Sequence, residues 1–405
     1  MAQGGIRFLQ PVFEEYGVEY GTIFSAAPTI DSEEMTSLAY DFYEPVGDTM
    51  SRRPLVITVF GGAFVAGNRS WADMVAYAKS LCRYGYTVAS IDYRLLPILH
   101  LSETNFIRTA YAAAQDLSAA VRYFKGNADT YRIDTNQIFV LGNSAGTVTA
   151  MHFLWLDEDE RPEETFAHEG FLGFGDREDL GPLHSSGYAE YLSHTPDVAG
   201  VIAHWGAVLD TSIIDSDENT PVCLIHGTND ESLPFAYGTP YGSHFFGISG
   251  LVLPDTYGSY YIDQRLTNVG VTHEMHIFEG EPHCFYLDDS YQLIPEKFDT
   301  CLSITLAFLA QYNTHIALPN AITENTKNGI SIYPNPANAL VQCNLQNATD
   351  EILITDMSGR LVKKITAAEI TGNTVTLDVS DWTAGVYFLH FHEGEKVLTE
   401  KLVVR

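Results

Sequence analysis

At 405 residues the chain exceeds one ordinary domain, so two or three are expected. Apolar residues make up 45% and charged ones 18%, which excludes an intrinsically disordered chain. A formal net charge of −30 argues against nucleic acid as a partner, since phosphate binding rests on lysine and arginine. The acidity is uneven: residues 325–405 hold 7 basic and 9 acidic residues, leaving 15 and 43 for the rest. An acidic surface of this kind reads as solubility or salt adaptation. No apolar run reaches the ~18 residues of a membrane helix, so no integral membrane segment is expected. The opening MAQGG has neither the charged stretch nor the apolar core of a signal peptide, and none is expected in the sequence as it stands.

Apolar runs at 19–25, 37–43, 55–60, 87–93, 138–142, 200–204, 222–226 and 273–278 predict strands. Between them, apolar returns at three and four residues predict helices over 71–84, 105–125, 144–156, 259–269 and 290–311. Strands alternating with helices predict an α/β fold, a mostly parallel eight-stranded sheet covered on both faces, with its site beyond the carboxyl ends of the strands. Two long connections, 157–196 and 234–258, interrupt the rhythm and are candidate lids or pocket walls. The first domain is thus 1–315, followed by a polar linker at 316–329. From 330 to 405 the alternation has a period of two, with hairpin signals at Ser358-Gly359 and at 392–395. Some seven short strands predict a small all-β sandwich.

The stretch IFVLGNSAGTVTAMHF, 138–153, carries Gly142-Asn143-Ser144-Ala145-Gly146, a G-x-S-x-G nucleophile elbow in the strand–turn–helix setting it requires. A serine hydroxyl is a weak nucleophile, so it needs a base and an acid that orients the base. In a sheet of this kind both follow the serine, each just past a strand. VCLIHGTND ends in Asp230, and HEMHIFEGEPHCF leads to His283. Asp288 and Glu231 are the nearest rivals for the acid. His226 at a strand end suits a structural hydrogen bond, while His168, His184, His194, His273 and His276 are weaker bases. Amide donors for the oxyanion are expected from Ala145, after the serine, and from Gly61-Gly62, after the third strand.

These residues resemble the α/β-hydrolase superfamily, in its hormone-sensitive-lipase-like and carboxylesterase branches, over about 15–312. GGAFVAG (61–67), GYTVASIDYRLLP (85–97), QDLSAAVRYF (115–124) and IHGTND (225–230) carry the likeness. It implies Ser144, Asp230 and His283 as the triad and the amides of Gly62, Ala63 and Ala145 as the oxyanion hole. The family's loop is usually His-Gly-Gly-Gly; here Phe60 stands in place of the histidine. Asp92-Tyr93-Arg94 corresponds to a family segment read here as structural. The C-terminal region resembles the type A sorting domain of the Bacteroidetes type IX secretion system. IYPNPA (332–337), ITDMSGRLV (354–362), LDVSDWTAGVYFL (377–389) and the final EKLVV carry that likeness. It implies the secretion machinery as a partner, and release or attachment at the cell surface.

The resulting expectation is a secreted serine carboxylic ester hydrolase for short to medium acyl esters. It needs no cofactor and no metal. Polysaccharide deacetylation, feruloyl-ester or polyester hydrolysis are alternatives, as is an exopeptidase of the same fold. A non-catalytic binding protein on this fold is the alternative of another class. Phe64, Trp205, Leu233, Tyr237 and Phe285 are candidate pocket residues. The acidic runs DEDE (157–160) and DSDENT (215–220) read as solvated loops rather than a Ca²⁺ site. Five cysteines, 82, 223, 284, 301 and 343, show no zinc-type spacing, and a Cys284–Cys301 disulfide is left open.

Overall fold

The computed structural model describes residues 8, 11–30, 34–169, 176–242, 244–245, 248–249, 253–315, 330–333, 335, 337, 339–345, 349–357, 359–367, 370, 374–394 and 396–404. It divides into two compact units, Pro11–Asn313 and a smaller one that includes Thr314–Arg405. The linker expected at 316–329 lies outside the described residues.

The larger unit is built on eight strands: β1 (Tyr16–Pro28), β2 (Met35–Pro45), β3 (Arg53–Val59), β4 (Thr87–Ile91), β5 (Ile133–Asn143), β6 (Gly200–His204), β7 (Val222–Gly227) and β8 (His273–Phe278). They lie in the order β1-β2-β4-β3-β5-β6-β7-β8, with β2 antiparallel to both its neighbours and β4 to β8 parallel. β3, β4, β6 and β7 are buried at every residue, as strands covered on both faces must be, and this is why apolar residues follow one another in them instead of strictly alternating with polar ones. The covering helices are α1 (Ala72–Arg83), α2 (Glu103–Gly126), α3 (Ala145–Trp155), α4 (Ser259–Val269) and α5 (Pro295–Tyr312). Ser102 caps α2 by accepting a hydrogen bond from the Asn105 amide.

Two boundaries differ most from the periodicity. β5 starts at Ile133, ahead of its apolar run. The last helix starts at Pro295, not near residue 290. Asp288 Oδ1 accepts the amides of Ser290 and Gln292, which holds a turn there, and Pro295 takes the first helical position where no amide is needed.

None of the described residues of the connection 157–196 lines the cavity that opens at Ser144. These residues are strapped along α2 by buried polar side chains that reach their carbonyls. Arg108 donates to Glu164 O and Glu178 O, Gln115 to Leu180 O, and Arg122 to His184 O. These bonds satisfy the backbone of a long irregular segment on a buried helix.

The two acidic runs meet in space. Glu218, half-buried, has its pKa raised to about 7, first by burial and then by Asp157, Asp217, Asp215 and Glu160. A carboxyl raised in the folded state binds more protons than in the unfolded chain, so stability falls as pH rises from about 4.5 to 7. Glu218→Gln is expected to raise Tm by roughly 1–3 °C at pH 8 and to leave it unchanged near pH 4. Thermal unfolding at both pH values checks this, and an equal shift at both would count against it.

Among the described residues the smaller unit has seven strands, β9 (Ile330–Tyr333), β10 (Leu340–Leu345), β11 (Glu351–Asp356), β12 (Leu361–Thr366), β13 (Thr374–Asp378), β14 (Gly385–Glu393) and β15 (Lys396–Val404). They form two antiparallel sheets, β9-β10-β13 and β12-β11-β14-β15, around Val341, Cys343, Ile352, Ile354, Leu377, Leu389 and Leu402. Alternating burial in β11 and β13 explains the period-two reading. Gly359 takes φ +79° at the β11–β12 turn; Ser358 and Glu395 lie outside the described residues.

Candidate active site

Ser144 sits between β5 and α3 with φ +52°, a left-handed conformation that few side chains tolerate. The flanking glycines follow from close approach. A Cβ on Gly146 would stand 2.0 Å from Val59 O, and one on Gly142 would stand 2.5 Å from Gly146 O. The Ser144 amide donates to His204 O at 3.0 Å, pinning the elbow to β6.

β5, β7 and β8 are parallel, so the loops after their carboxyl ends converge. His283 Nε2 lies 2.8 Å from Ser144 Oγ, and His283 Nδ1 lies 2.6 Å from Asp230 Oδ2. Asp230 is buried and saturated. Its Oδ1 accepts the amides of Ser232 and Leu233, both at 2.8 Å, and its Oδ2 also faces His226 Nε2 at 3.1 Å. Burial alone would raise the Asp230 pKa, but the bonds from His226 and His283 hold it well below the usual carboxylate range. Burial likewise opposes a charged His283, yet the Cys284 sulfur and the Asp230 carboxylate together raise its pKa above 6.5. His226 is fully buried between Asp230, Leu233 O and Ser259 Oγ, which fits a structural hydrogen-bonding role. Asp288 is occupied in its own turn, and His184 bonds Ser118 on α2.

The loop after β3 runs through three consecutive positive φ values, Gly62 +108°, Ala63 +52° and Phe64 +63°. Its support comes from the Asp92-Tyr93-Arg94 segment. Tyr93 Oη donates to Phe60 O at 2.9 Å, and its ring stacks on Phe60 with centroids 4.3 Å apart. Arg94 pairs with buried Asp116 of α2, and Asp92 accepts from Arg69 just past the loop. Phe60 thus holds the loop through a stacked tyrosine where a histidine is usual. Behind the elbow, Asp73 Oδ2 accepts from Asn143 Nδ2 and, at 3.3 Å, from Tyr286 Oη, linking α1, the serine turn and the His283 loop. Ala145 is the first residue of α3, so its amide has no carbonyl partner within the helix.

An apolar cavity opens at the serine, walled by Ala63, Phe64, Phe106, Ser144, Ala145, Val148, Val208, Leu233 and Tyr241 among others. Of the expected pocket residues, Phe64 and Leu233 line it. Trp205 and Phe285 do not: both are buried, packed on each other with centroids 5.1 Å apart, and serve as core behind His283. Tyr237 is half exposed on the short strand Tyr237–Gly238, bonded to Asp255 at 3.1 Å, and is not a wall residue. Sequence reasoning missed Phe106 and Tyr241. Phe106 lies in the first turn of α2, and Tyr241 comes from the connection 234–258, where its buried hydroxyl shares a hydrogen bond with Ser144. Its only signal was an aromatic in a Pro-Tyr-Gly turn. Cys284 and Cys301 are both free thiols, so the disulfide left open by the sequence is not formed. The acidic runs supply no group of three with ligand atoms close enough for one ion among the described residues.

Residues 40–169 match the BD-FAE family, and residues 331–405 match the secretion system C-terminal sorting domain. Residues 40–169, within the larger unit, are thus similar to an esterase-like α/β-hydrolase domain. The C-terminal match is to a sorting domain, which indicates secretion or export to the cell surface. Acetyl esterases of Salmonella schwarzengrund and Salmonella typhi are each 29% identical over 136 residues, 31% of this chain. The chain spans 39% of the length of those curated relatives. Among solved structures, Thermogutta terrifontis esterase 2 phosphorylated by paraoxon is similar, with 16% identity and a TM-score of 0.49 over 73% of this chain and 94% of that one. The propionate-bound form of the same esterase gives 16% and 0.49 over 75% and 97%.

Proposed function

We propose that the hydrolase is a secreted serine carboxylic ester hydrolase acting on short to medium acyl esters through an acyl-enzyme. The observation that carries this reading is the unbroken chain Ser144 Oγ to His283 Nε2 to His283 Nδ1 to Asp230 Oδ2 beside an apolar cavity. Ser144 attacks the acyl carbonyl while His283 takes its proton, and Asp230 holds the imidazole in the tautomer that can accept it. The amides of Gly62, Ala63 and Ala145 stabilise the oxyanion, each donor contributing roughly 3–4 kcal/mol in such sites. His283 then protonates the leaving alcohol, and water repeats the cycle on the acyl-enzyme. The sorting tail supports the secretion machinery as its partner during export.

Phe64, Phe106, Leu233 and Tyr241 bound the cavity, which suits short acyl chains. Purified protein is therefore expected to hydrolyse acetyl to butyryl p-nitrophenyl esters, with kcat/KM falling for octanoyl and longer chains. No turnover of the acetyl and butyryl esters would overturn the proposal. A second reading, deacylation of a polysaccharide, is favoured by the exposed rings of Tyr237, Tyr260 and Tyr261 near Tyr257, which offer faces for sugar rings. Release of acetate from acetylated xylan, measured beside the small esters, separates the two.

A further inference from the structure

One cluster of side chains has no part in the ester chemistry. β7 and β8 pair in parallel with Glu274 opposite Cys223 and His276 opposite Ile225. Side chains alternate along a strand, so Glu274 and His276 share the face on which Cys223 lies. The ligating atoms of these three residues all fall within 4.8 Å of one another, and Glu274 Oε1 is 3.3 Å from His276 Nε2. His273, on the other face of β8, is engaged with Asp263 of α4 at 3.2 Å. We propose that Cys223, Glu274 and His276 form a zinc site with water in the fourth position, clamping β8 to β7.

The donor set suits the ion. A thiolate, an imidazole and a carboxylate are the ligands that tetrahedral Zn²⁺ takes, and its bond lengths place donor atoms about 3.3–3.8 Å apart. The Glu274–His276 pair already has that spacing. Both side chains are about a third exposed, so they can close on Cys223 by rotamer change, and the ion can enter from the edge of the sheet. Charge balances as well: on binding, the Cys223 thiol gives its proton to solvent, and thiolate plus carboxylate offset the dication beside the core. Without a cation, burial and the facing Glu274 carboxyl keep Cys223 protonated.

The clamp would act where the fold needs it. β8 is an edge strand buried only in part, yet the loop beyond it carries His283, while the loop after β7 carries Asp230. The test uses the full chain, stripped with EDTA and titrated with Co²⁺ and then Zn²⁺. One equivalent of Co²⁺ is expected to give a thiolate-to-metal charge-transfer band with the visible bands of four-coordination, both lost as Zn²⁺ displaces it. Zn²⁺ is expected to raise Tm by roughly 5 °C. Cys223→Ser should abolish the charge-transfer band, and His276→Ala should weaken Zn²⁺ binding at least ~10-fold. The second variant, at a partly exposed position, carries the test if the first fails to fold. A wild-type protein without the band, a band that survives in Cys223→Ser, or unchanged affinity in His276→Ala would each overturn the site.

Discussion

Ser144→Ala is expected to lower kcat on p-nitrophenyl acetate by about 10⁶-fold, with Tm within a few degrees of the parent. The two readouts separate because of where the hydroxyl sits. Ser144 Oγ bonds His283 Nε2 and the Tyr241 hydroxyl, whereas the fold at this point is held by the backbone: the Ser144 amide on His204 O, and Ser144 O accepting from Thr147 and Val148. Alanine keeps those bonds and occupies the same positive φ that serine already accepts. What disappears is the covalent intermediate. The amides left in the loop can still polarise a bound ester, so the residue of activity reports the oxyanion hole alone. Labelling by a fluorophosphonate should vanish in the same variant. Retention of more than about 1% of the parent activity, or of the label, would remove Ser144 from its proposed role.

Asp230→Asn is expected to cost about 10⁴-fold in kcat/KM, with a pH profile displaced to lower pH. Four N–H groups converge on this carboxylate, two amides on Oδ1 and two imidazoles on Oδ2. An asparagine has one oxygen to offer. With its oxygen toward Ser232 and Leu233, its amide faces His283 Nδ1, which must then accept, so Nε2 carries the proton and cannot act as base. With its oxygen toward the imidazoles, its amide faces two backbone donors and destabilises the loop. The pH shift has a definite sign. His283 must be neutral to act, and the carboxylate helps hold its pKa above 6.5, so the acid limb of the parent profile lies above that value. Removing the negative charge lets burial pull the pKa down, and the limb moves to lower pH. An unchanged limb, or a loss below about 10-fold, would assign the orientation of His283 to another group.

Much of this was legible in the linear chain because it rests on local steric rules. Gly142 and Gly146 announce the elbow, since no larger residue fits against Gly146 O and Val59 O. β3 and β7 carry consecutive apolar residues, Leu55-Val56-Ile57 and Val222-Cys223-Leu224-Ile225, because both their faces are covered, and the order serine, aspartate, histidine follows the strands that deliver them. Aromatic residues were the poor guide. Trp205, Phe285, Phe64 and Phe106 are alike in the sequence, yet two are core behind the histidine and two are wall. Hydrophobicity reports burial, and burial does not say against what.

The amino-acid sequence by itself determined the candidate residues and their order along the chain, because turn sterics and strand periodicity act over a few residues. Only the tertiary structure decided what surrounds those residues. Tyr93 reaches the carbonyl of Phe60, Asp73 ties Asn143 to Tyr286, and Tyr241 arrives at Ser144 from a long connection. Cys223, Glu274 and His276 meet because two strands distant in the chain pair in one register. These contacts join residues from 33 to 213 positions apart, and the packing that sets them has no period to read.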